Sequence, residues 1–371
     1  MTNTLGNGKT ALILGGGAPN STLIAGALAA FVDYELEFDV ISASGAGVLM
    51  GLLYTAPKDG NPREALERWA DVGVSDNLYK LFPVNYKVFQ KPGNQAEGFR
   101  SALSPLMAGH NTSPLEHPML GMLTQPMQAM AGAWSDWAQL MFSAMSPSNL
   151  SSKSLGLCAH LPFLEQSVNF DAVSRMGPEF YINAFNIEQG QMTIWNKQEI
   201  TPLHVRAALS FPFLYAPTEI DGEHYIEGAA LDTLNFEPFT TDAKGQQRHP
   251  EVDTLVVLDI LGDHRFIRKP RNLYDAWVRS IITPLVKISK AEQRLFELEH
   301  NRDPLTGNSK RQILRVDLLD RIPKKHWPSV LDWSTSNMQT LFQVGYQAGL
   351  DFCREHGSSL GAINAPPSLA A

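Results

Sequence analysis

The sequence has little of what stabilises small secreted domains or binds nucleic acids. Only two of its 371 residues are cysteine, which is too few for a disulfide framework and is typical of a reducing compartment. The formal net charge is −8 and no basic stripe is present, which argues against a nucleic-acid partner and against simple electrostatic docking on an anionic membrane. The low cysteine content and the acidic charge are therefore consistent with a globular protein that buries an ordinary apolar core.

Long apolar runs are also missing. No run approaches the roughly 18 residues that a transmembrane helix needs. Residues 11–14 are too short an apolar core for a signal peptide and run directly into glycines. We therefore expect a cytoplasmic protein that can contact a membrane peripherally.

Short apolar segments with helical patterns between them predict an α/β protein. The strand candidates are residues 10–14, 38–42, 180–185, 191–195, 224–226, 254–260 and 312–316. Residues 254–260 are apolar on both faces, which is typical of a buried strand in a mainly parallel sheet. Mixed charges near 278–298, including Glu292, indicate an exposed helix face, and the basic run 264–271 is expected to be a solvated loop.

Residues 92–164 differ from the rest of the chain in composition, because they are rich in Met, Pro, Ser and Ala. Flexible methionine side chains suit irregular partners, so this stretch is a helical insertion that packs into the core, a lid or wall around a lipid tail, or a segment that lies on a membrane interface. We favour the packed insertion. His110, His117 and His160 lie in or near it without metal-ligand spacing, so we expect neither a metal nor a cofactor.

Two strand-to-helix turns carry unusually small residues. Gly15, Gly16 and Gly17 directly follow the first strand. A glycine run lets the backbone approach a ligand and present N–H groups, as in a phosphate loop or in an oxyanion hole for acyl transfer. Neither G-x-G-x-x-G nor G-x-x-x-x-G-K-[ST] is present, so the phosphate alternative is the weaker one.

The second turn has the setting of a nucleophile elbow but an ambiguous nucleophile. The sequence S-A-S-G-A-G covers residues 42–47, between the strand 38–42 and an apolar helix pattern. In the register G-x-S-x-G, the position of the attacking serine is Gly45. A turn one residue shorter would make Ser44 the nucleophile, with the small residues Ser42 and Ala46 two positions to either side. Both registers remain open at this stage.

Together with two later blocks, these turns resemble the patatin-like phospholipases. Residues 206–217 (RAALSFPFLYAP) resemble the family's R-A-S-x-A-x-P-x-x-F-x-P segment, and residues 221–229 (DGEHYIEGA) resemble its D-G-x-x-Y-x-D-G-[GA] segment. The resemblance covers about residues 9–54 and 180–236. It implies a three-layer α/β/α fold and lipid acyl hydrolysis by a Ser–Asp dyad, with the oxyanion held by glycine-loop N–H groups.

Three positions depart from the family pattern. Ungapped spacing on both sides favours Gly45 at the nucleophile position, and Glu227 stands at the position of the dyad aspartate. Pro19 replaces the arginine that usually follows the glycine loop. Glu227 carries its carboxylate on a longer arm and can still act as a general base, although a hairpin residue facing solvent is an equal alternative.

The resemblance implies a set of site residues and one domain. The predicted catalytic positions are Ser44, Gly45 and Glu227; the predicted oxyanion hole is Gly15, Gly16 and Gly17; the predicted substrate contacts are Pro19, Asn20, Ala46 and Gly228. The domain spans residues 9–356, with a helical insertion at about 92–164, C-terminal strands and helices at about 254–356, and a flexible tail at 357–371.

Three functions follow from these departures. The first is a lipid acyl hydrolase that uses Ser44 and Glu227. The second is a non-catalytic patatin-fold protein that binds lipid or acyl groups. The third is an enzyme in which Glu227 acts as general base on an acyl compound without a covalent step. All three have a lipid or acyl-ester partner.

Overall fold

The computed structural model describes residues 8–17, 20–81, 155–158, 163–241 and 247–361. Its helices are α1 (Ser21–Asp33), α2 (Ala46–Thr55), α3 (Pro62–Trp69), α4 (Asp76–Leu81), α5 (Phe163–Ser167), α6 (Phe170–Val173), α7 (Pro202–Ala208), α8 (Leu273–Leu295) and α9 (Thr335–His356). Its strands are β1 (Lys9–Leu14), β2 (Val40–Ala43), β3 (Gly156–Cys158), β4 (Glu179–Asn186), β5 (Gln191–Asn196), β6 (Phe213–Tyr215), β7 (Thr218–Ile220), β8 (Glu223–Glu227), β9 (Val252–Leu258) and β10 (Gln312–Arg315).

Eight of these strands form a mainly parallel sheet. Its order is β10-β9-β1-β2-β4-β8-β7, with β5 paired to β4. The strands from β10 to β4 are parallel, whereas β5, β7 and β8 join by antiparallel pairing. In the part of the chain that is described, β3 and β6 form a separate parallel pair. The predicted α/β class with a mainly parallel sheet is confirmed.

An apolar core packs against each face of the central sheet. Leu12 and Leu14 of β1 join a large cluster with α1, α2 and α9, whereas Ala11 and Ile13 join a second cluster with residues 234–239. This alternation follows from the two-residue period of a strand. Because both faces are covered, the sheet is the middle layer of the fold.

Glycines bring two helices of the larger core into backbone contact. A Cβ atom added to Gly26 of α1 would lie 2.1 Å from the carbonyl oxygen of Phe342 in α9. A Cβ added to Gly345 of α9 would lie 2.0 Å from the carbonyl oxygen of Leu23. No side chain fits at either position, so the crossing of α1 and α9 depends on both glycines.

A strand is present at every predicted strand segment, with small differences at the ends. The last strand residue of β9 is Leu258 rather than residue 260, because the Asp259 carboxylate accepts hydrogen bonds from the N–H groups of Leu261 and Gly262 and turns the chain. The methionine-rich insertion falls almost entirely outside the described residues, as do His110, His117 and His160. Among the helices that are described, none is long and apolar enough to span a bilayer.

Candidate active site

The site lies where the carboxyl ends of β1 and β2 meet. Parallel strands bring the turns that follow them to one edge of the sheet. Gly15–Gly17 therefore lie beside the turn between β2 and α2: a Cβ on Gly16 would be 3.3 Å from the carbonyl oxygen of Ser44. The two small-residue turns that the sequence singles out are thus neighbours.

Gly45 occupies the tip of the elbow. It lies between β2 and α2 with φ 48° and ψ −129°, a conformation that side-chain-bearing residues rarely adopt. The nucleophile elbow is a strained strand-to-helix turn of this kind. The backbone therefore has the shape of an elbow, and a residue without a side chain stands at its tip.

Ser44 is held away from that tip. Its side chain is fully buried, and its Oγ donates a hydrogen bond of 2.7 Å to the main-chain oxygen of Asp232. The N–H of Ser44 donates to the carbonyl of Leu14 at 3.1 Å, which ties the turn to β1. The hydroxyl thus has a structural partner on the turn after β8.

The Glu227 carboxyl fills the space that an elbow side chain would take. A Cβ atom added to Gly45 would lie 2.3 Å from Glu227 Oε1 and 2.6 Å from Ala229 Cβ. Glu227 ends β8, opposite Ala184 of β4, and its N–H donates to the carbonyl of Ser210. The structure thus brings Gly45 and Glu227 together, and a side chain at position 45 would require Glu227 to move.

Burial sets the protonation of this carboxyl. Glu227 is only 9% exposed, and burial raises its pKa to about 8. A buried acid without a compensating cation prefers its neutral form. Glu227 is therefore mostly a neutral carboxylic acid at pH 7, and it is not the solvent-facing hairpin residue of the alternative expectation.

The three loop glycines differ in what their N–H groups do. Gly15 N–H donates to the carbonyl of Leu258 at 3.1 Å, and Gly16 N–H donates to the carbonyl of Thr233 at 3.0 Å. Gly17 has φ 135° and is partly exposed, and no group among the described residues accepts from its N–H. Of the predicted oxyanion hole, Gly17 alone has a donor to offer.

The start of α2 supplies a second donor. Gly47 and Val48 donate to the carbonyls of Ser44 and Gly45. The N–H of Ala46 finds no acceptor in the described part of the chain, and Ala46 is partly exposed. The first N–H groups of a helix lack intrahelical partners and favour negative charge. Ala46 directly follows the elbow residue, a position whose N–H commonly completes an oxyanion hole.

Two of the remaining predicted contacts have neighbours within the fold, and the third lies outside the described residues. Asn20 is fully buried, and its Nδ2 donates to the carbonyl of Ile260, which ties the start of α1 to the loop after β9. Gly228 packs on Asn183, because an added Cβ would lie 2.6 Å from Asn183 Oδ1. Pro19 lies outside the described residues.

Behind the elbow lies an acidic pair that the sequence did not reveal. Burial, with the charge of Glu292 second, raises the pKa of Asp232 well above its ordinary value. Burial also raises the pKa of Glu292 to about 6, against hydrogen bonds from Thr233 that lower it. The two carboxyls share a hydrogen bond. The predicted exposed face of this helix is present at Lys290 and Arg294, but Glu292 does not lie on it, because its carboxylate accepts hydrogen bonds from Thr233.

An apolar groove of about 430 Å³ adjoins the site. Trp277, Ile281, Leu285 and Ile288 line it from α8, and residues 211–213 line it from the opposite side. Its remaining wall includes Ala230, which belongs to the same turn as Ala229 beside Gly45. One short turn therefore borders both the elbow and the groove.

Comparison with known proteins defines the class. The family model of the patatin-like phospholipases matches residues 12–240, which is more than half of the chain. The chain belongs to this family, and the resemblance seen in the sequence is confirmed.

Among solved structures, the crystal structure of VipD from Legionella pneumophila aligns with 95% of this chain and 67% of its own, at 13% identity and a TM-score of 0.39. No curated protein sequence matches the chain.

Proposed function

We propose that this protein is a patatin-fold binder of lipid acyl groups that forms no serine acyl-enzyme. The observation that carries the proposal is the pairing of Gly45 with Glu227. Glycine has no atom that can attack an acyl carbon, and the carboxyl beside it occupies the space of the missing side chain. A cytoplasmic location with peripheral membrane contact is part of the proposal and is supported by the low cysteine content.

Ser44 gives little support for the alternative of serine hydrolysis. Its hydroxyl is fully buried and donates to the main chain of Asp232, and among the described residues no acidic or basic side chain hydrogen-bonds to it. A serine nucleophile needs an adjacent base and access to the substrate. Attack by Ser44 would require the turn between β2 and α2 to rebuild.

The surroundings of the elbow support an acyl ligand. The groove beside Ala230 is lined by apolar side chains of α8 and suits a hydrocarbon chain. The N–H groups of Gly17 and Ala46 suit a carbonyl or carboxylate oxygen. Family membership makes a lipid the expected ligand class.

The test is fluorophosphonate labelling read by intact mass, together with lipid binding. An active serine would form an Oγ–phosphorus bond with loss of fluoride. We expect no adduct on the wild type or on Ser44→Ala, while both bind an acyl lipid. The double variant Gly45→Ser, Glu227→Asp is the matched control, because it supplies a hydroxyl at the elbow and shortens the carboxyl. An adduct on the wild type that disappears in Ser44→Ala would overturn the proposal.

The raised pKa of Glu227 favours one second candidate, a hydrolase without a covalent intermediate. Ionised Glu227 would take a proton from water, the water oxygen would attack the acyl carbon, and Glu227 would return the proton to the departing alcohol. Such an enzyme would show an ester hydrolysis rate that rises with a midpoint of about pH 8, no burst phase, and no activity in Glu227→Gln. A rate that is independent of pH between 6 and 9 would exclude this candidate.

A further inference from the structure

The carboxyl of Glu227 is buried and has no partner in the part of the chain that the structure describes. It is only 9% exposed, and no side chain or main-chain group among the described residues donates to it or forms an ion pair with it. Burying an unpaired carboxyl costs free energy that a hydrophobic residue at this position would avoid. It is directed at the elbow, where its Oε1 lies 2.3 Å from the Cβ that Gly45 lacks.

Two further donors lie on the two neighbouring turns. Ala46 N–H opens a helix of ten residues after the elbow, and Gly17 N–H lies on the glycine loop, whose Gly16 packs against the Ser44 carbonyl. Ala46 and Gly17 are partly exposed, whereas Gly45 is buried. A neutral carboxylic acid adds an O–H donor, so the elbow and the glycine loop together offer three donors.

Three donors suit a ligand group that only accepts hydrogen bonds. A carboxylate accepts through both oxygens, and charge-assisted hydrogen bonds to it are roughly twice as strong as neutral ones. A phosphate monoester carries about twice the charge of a carboxylate, and no charged group among the described residues influences Glu227 to balance it. An ester carbonyl has a single uncharged oxygen, so it would accept fewer and weaker hydrogen bonds from these donors.

We infer that the elbow binds the carboxylate of a free fatty acid, with Glu227 as a neutral donor beside the N–H groups of Gly17 and Ala46 and with the hydrocarbon chain in the groove at Ala230. This inference rests on the proposed function and names its ligand. In this protein the patatin fold would then bind a free fatty acid. Ester hydrolysis would release such an acid as its product.

The titratable neighbours of Glu227 do not compete for its proton. The glycine loop and the first turn of α2 carry no ionisable side chain. On the other packed elements, Arg206 of α7 is paired with Glu165, and Asp232 shares a hydrogen bond with Glu292. Burial alone raises the pKa of Glu227, so protonation of this one carboxyl controls whether it can donate.

The experiment compares decanoate with decanamide by isothermal titration calorimetry between pH 6.5 and 9.5. The two probes share a chain, and only decanoate carries charge. We expect tighter binding of decanoate at pH 6.5, an affinity that falls about tenfold per pH unit above the pKa of Glu227, and proton uptake near pH 9 in buffers of different ionisation enthalpy. Decanamide should bind more weakly and with little dependence on pH.

Two variants make the test specific. Glu227→Gln keeps the shape and an N–H donor but cannot titrate, so its decanoate affinity should stay constant across this range, without proton uptake. Glu219→Gln, on the exposed side of β7, should behave as the wild type.

Equal binding of the two probes by the wild type, or the same pH dependence in Glu227→Gln, would overturn the carboxylate inference. In that case the proposed function would stand if long-chain lipids bind, and it would fail with the inference if neither the probes nor any acyl lipid binds.

Discussion

Two buried carboxyls of this protein have opposite surroundings. Asp275 at the start of α8 is nearly inaccessible and lies among Arg268, Arg271 and Arg279. Burial raises the pKa of Asp275, but hydrogen bonds and charges from the arginines outweigh it and hold the pKa below its ordinary value. Glu227 is buried with no cation beside it among the described residues, and burial raises its pKa to about 8.

The difference separates a structural acid from a candidate functional one. The Asp275 cluster joins residues 268–271 to α8, because the Asp275 carboxylate accepts hydrogen bonds from Arg268, Arg271 and Arg279. No charged group among the described residues compensates Glu227 in this way, and its carboxyl packs against the strained Gly45, which the N–H of Ala46 follows without a described acceptor. Unpaired buried acids with strongly shifted pKa values concentrate at functional sites.

The largest expected effect comes from breaking the paired carboxyl. Asp275→Asn leaves buried guanidinium groups without their anion, so we expect the free energy of unfolding to fall by about 3–5 kcal/mol. Urea denaturation measures it. The control is Asp320→Asn, which removes an exposed partner of Arg265 and should cost less than about 1 kcal/mol. Equal small losses would show that the Asp275 cluster is not a stabilising element.

Replacing the carboxyl of Glu227 should raise the stability of the folded protein, in contrast to Asp275→Asn. Because the folded-state pKa of Glu227 is raised, its stability contribution is complete below the ordinary pKa of 4.5 and is lost as the pH rises towards 8. Relative to the wild type, Glu227→Gln should therefore gain about 1.4 kcal/mol per pH unit between those limits. Urea denaturation at pH 5.5 and pH 7.5 measures the gain. A difference that does not change with pH would mean that the carboxyl is ionised in the folded protein.

The contact between Glu227 and the elbow can be tested directly. Gly45→Ala places a Cβ 2.3 Å from Oε1 at a positive φ, so we expect a loss of about 1–3 kcal/mol. Shortening the acid with Glu227→Asp should recover part of that loss, and a double-mutant cycle measures the coupling. Purely additive losses would show that the two positions do not touch.

Ser44 should give the smallest effect. Ser44→Ala removes the hydrogen bond to the main-chain oxygen of Asp232, so we expect a loss of about 1 kcal/mol in thermal or urea unfolding. Binding of acyl ligands should not change, because the hydroxyl does not face the elbow tip. Loss of ligand binding in folded Ser44→Ala would show that the Ser44 hydroxyl contacts the ligand.

Much of the fold could be predicted from the sequence because its signals are local. The apolar runs of β1 and β9 come from side chains next to one another in the chain. The hairpin turn at Asp221 and Gly222, both at positive φ, likewise follows from residue type. The position of the elbow could be predicted from the order of a strand, a run of small residues and a helix. Its contacts could not be predicted in this way.

The rest depended on contacts between distant residues. The sequence left Ser44 and Gly45 open, because the hydroxyl partner of Ser44 is Asp232 and the neighbour of Gly45 is Glu227, both about 180 positions away. The prediction of a solvated loop at 264–271 is right for the exposed residues His264, Lys269 and Arg271, but it missed the ion pairs of the run. Arg268 is paired with Asp275 on α8, and Arg271 with Asp332, so the run is an ion-pair network.

The central claim is that Glu227 is a neutral, unpaired carboxylic acid at the elbow. Its most direct test is a ¹³C NMR titration of glutamate side-chain carboxyls in the folded protein, with the Glu227 signal assigned by its absence in Glu227→Gln. The account predicts a titration midpoint at about pH 8. A midpoint near the ordinary value of 4.5 would contradict it, because the carboxyl would then be charged at neutral pH and could not serve as a donor at the elbow.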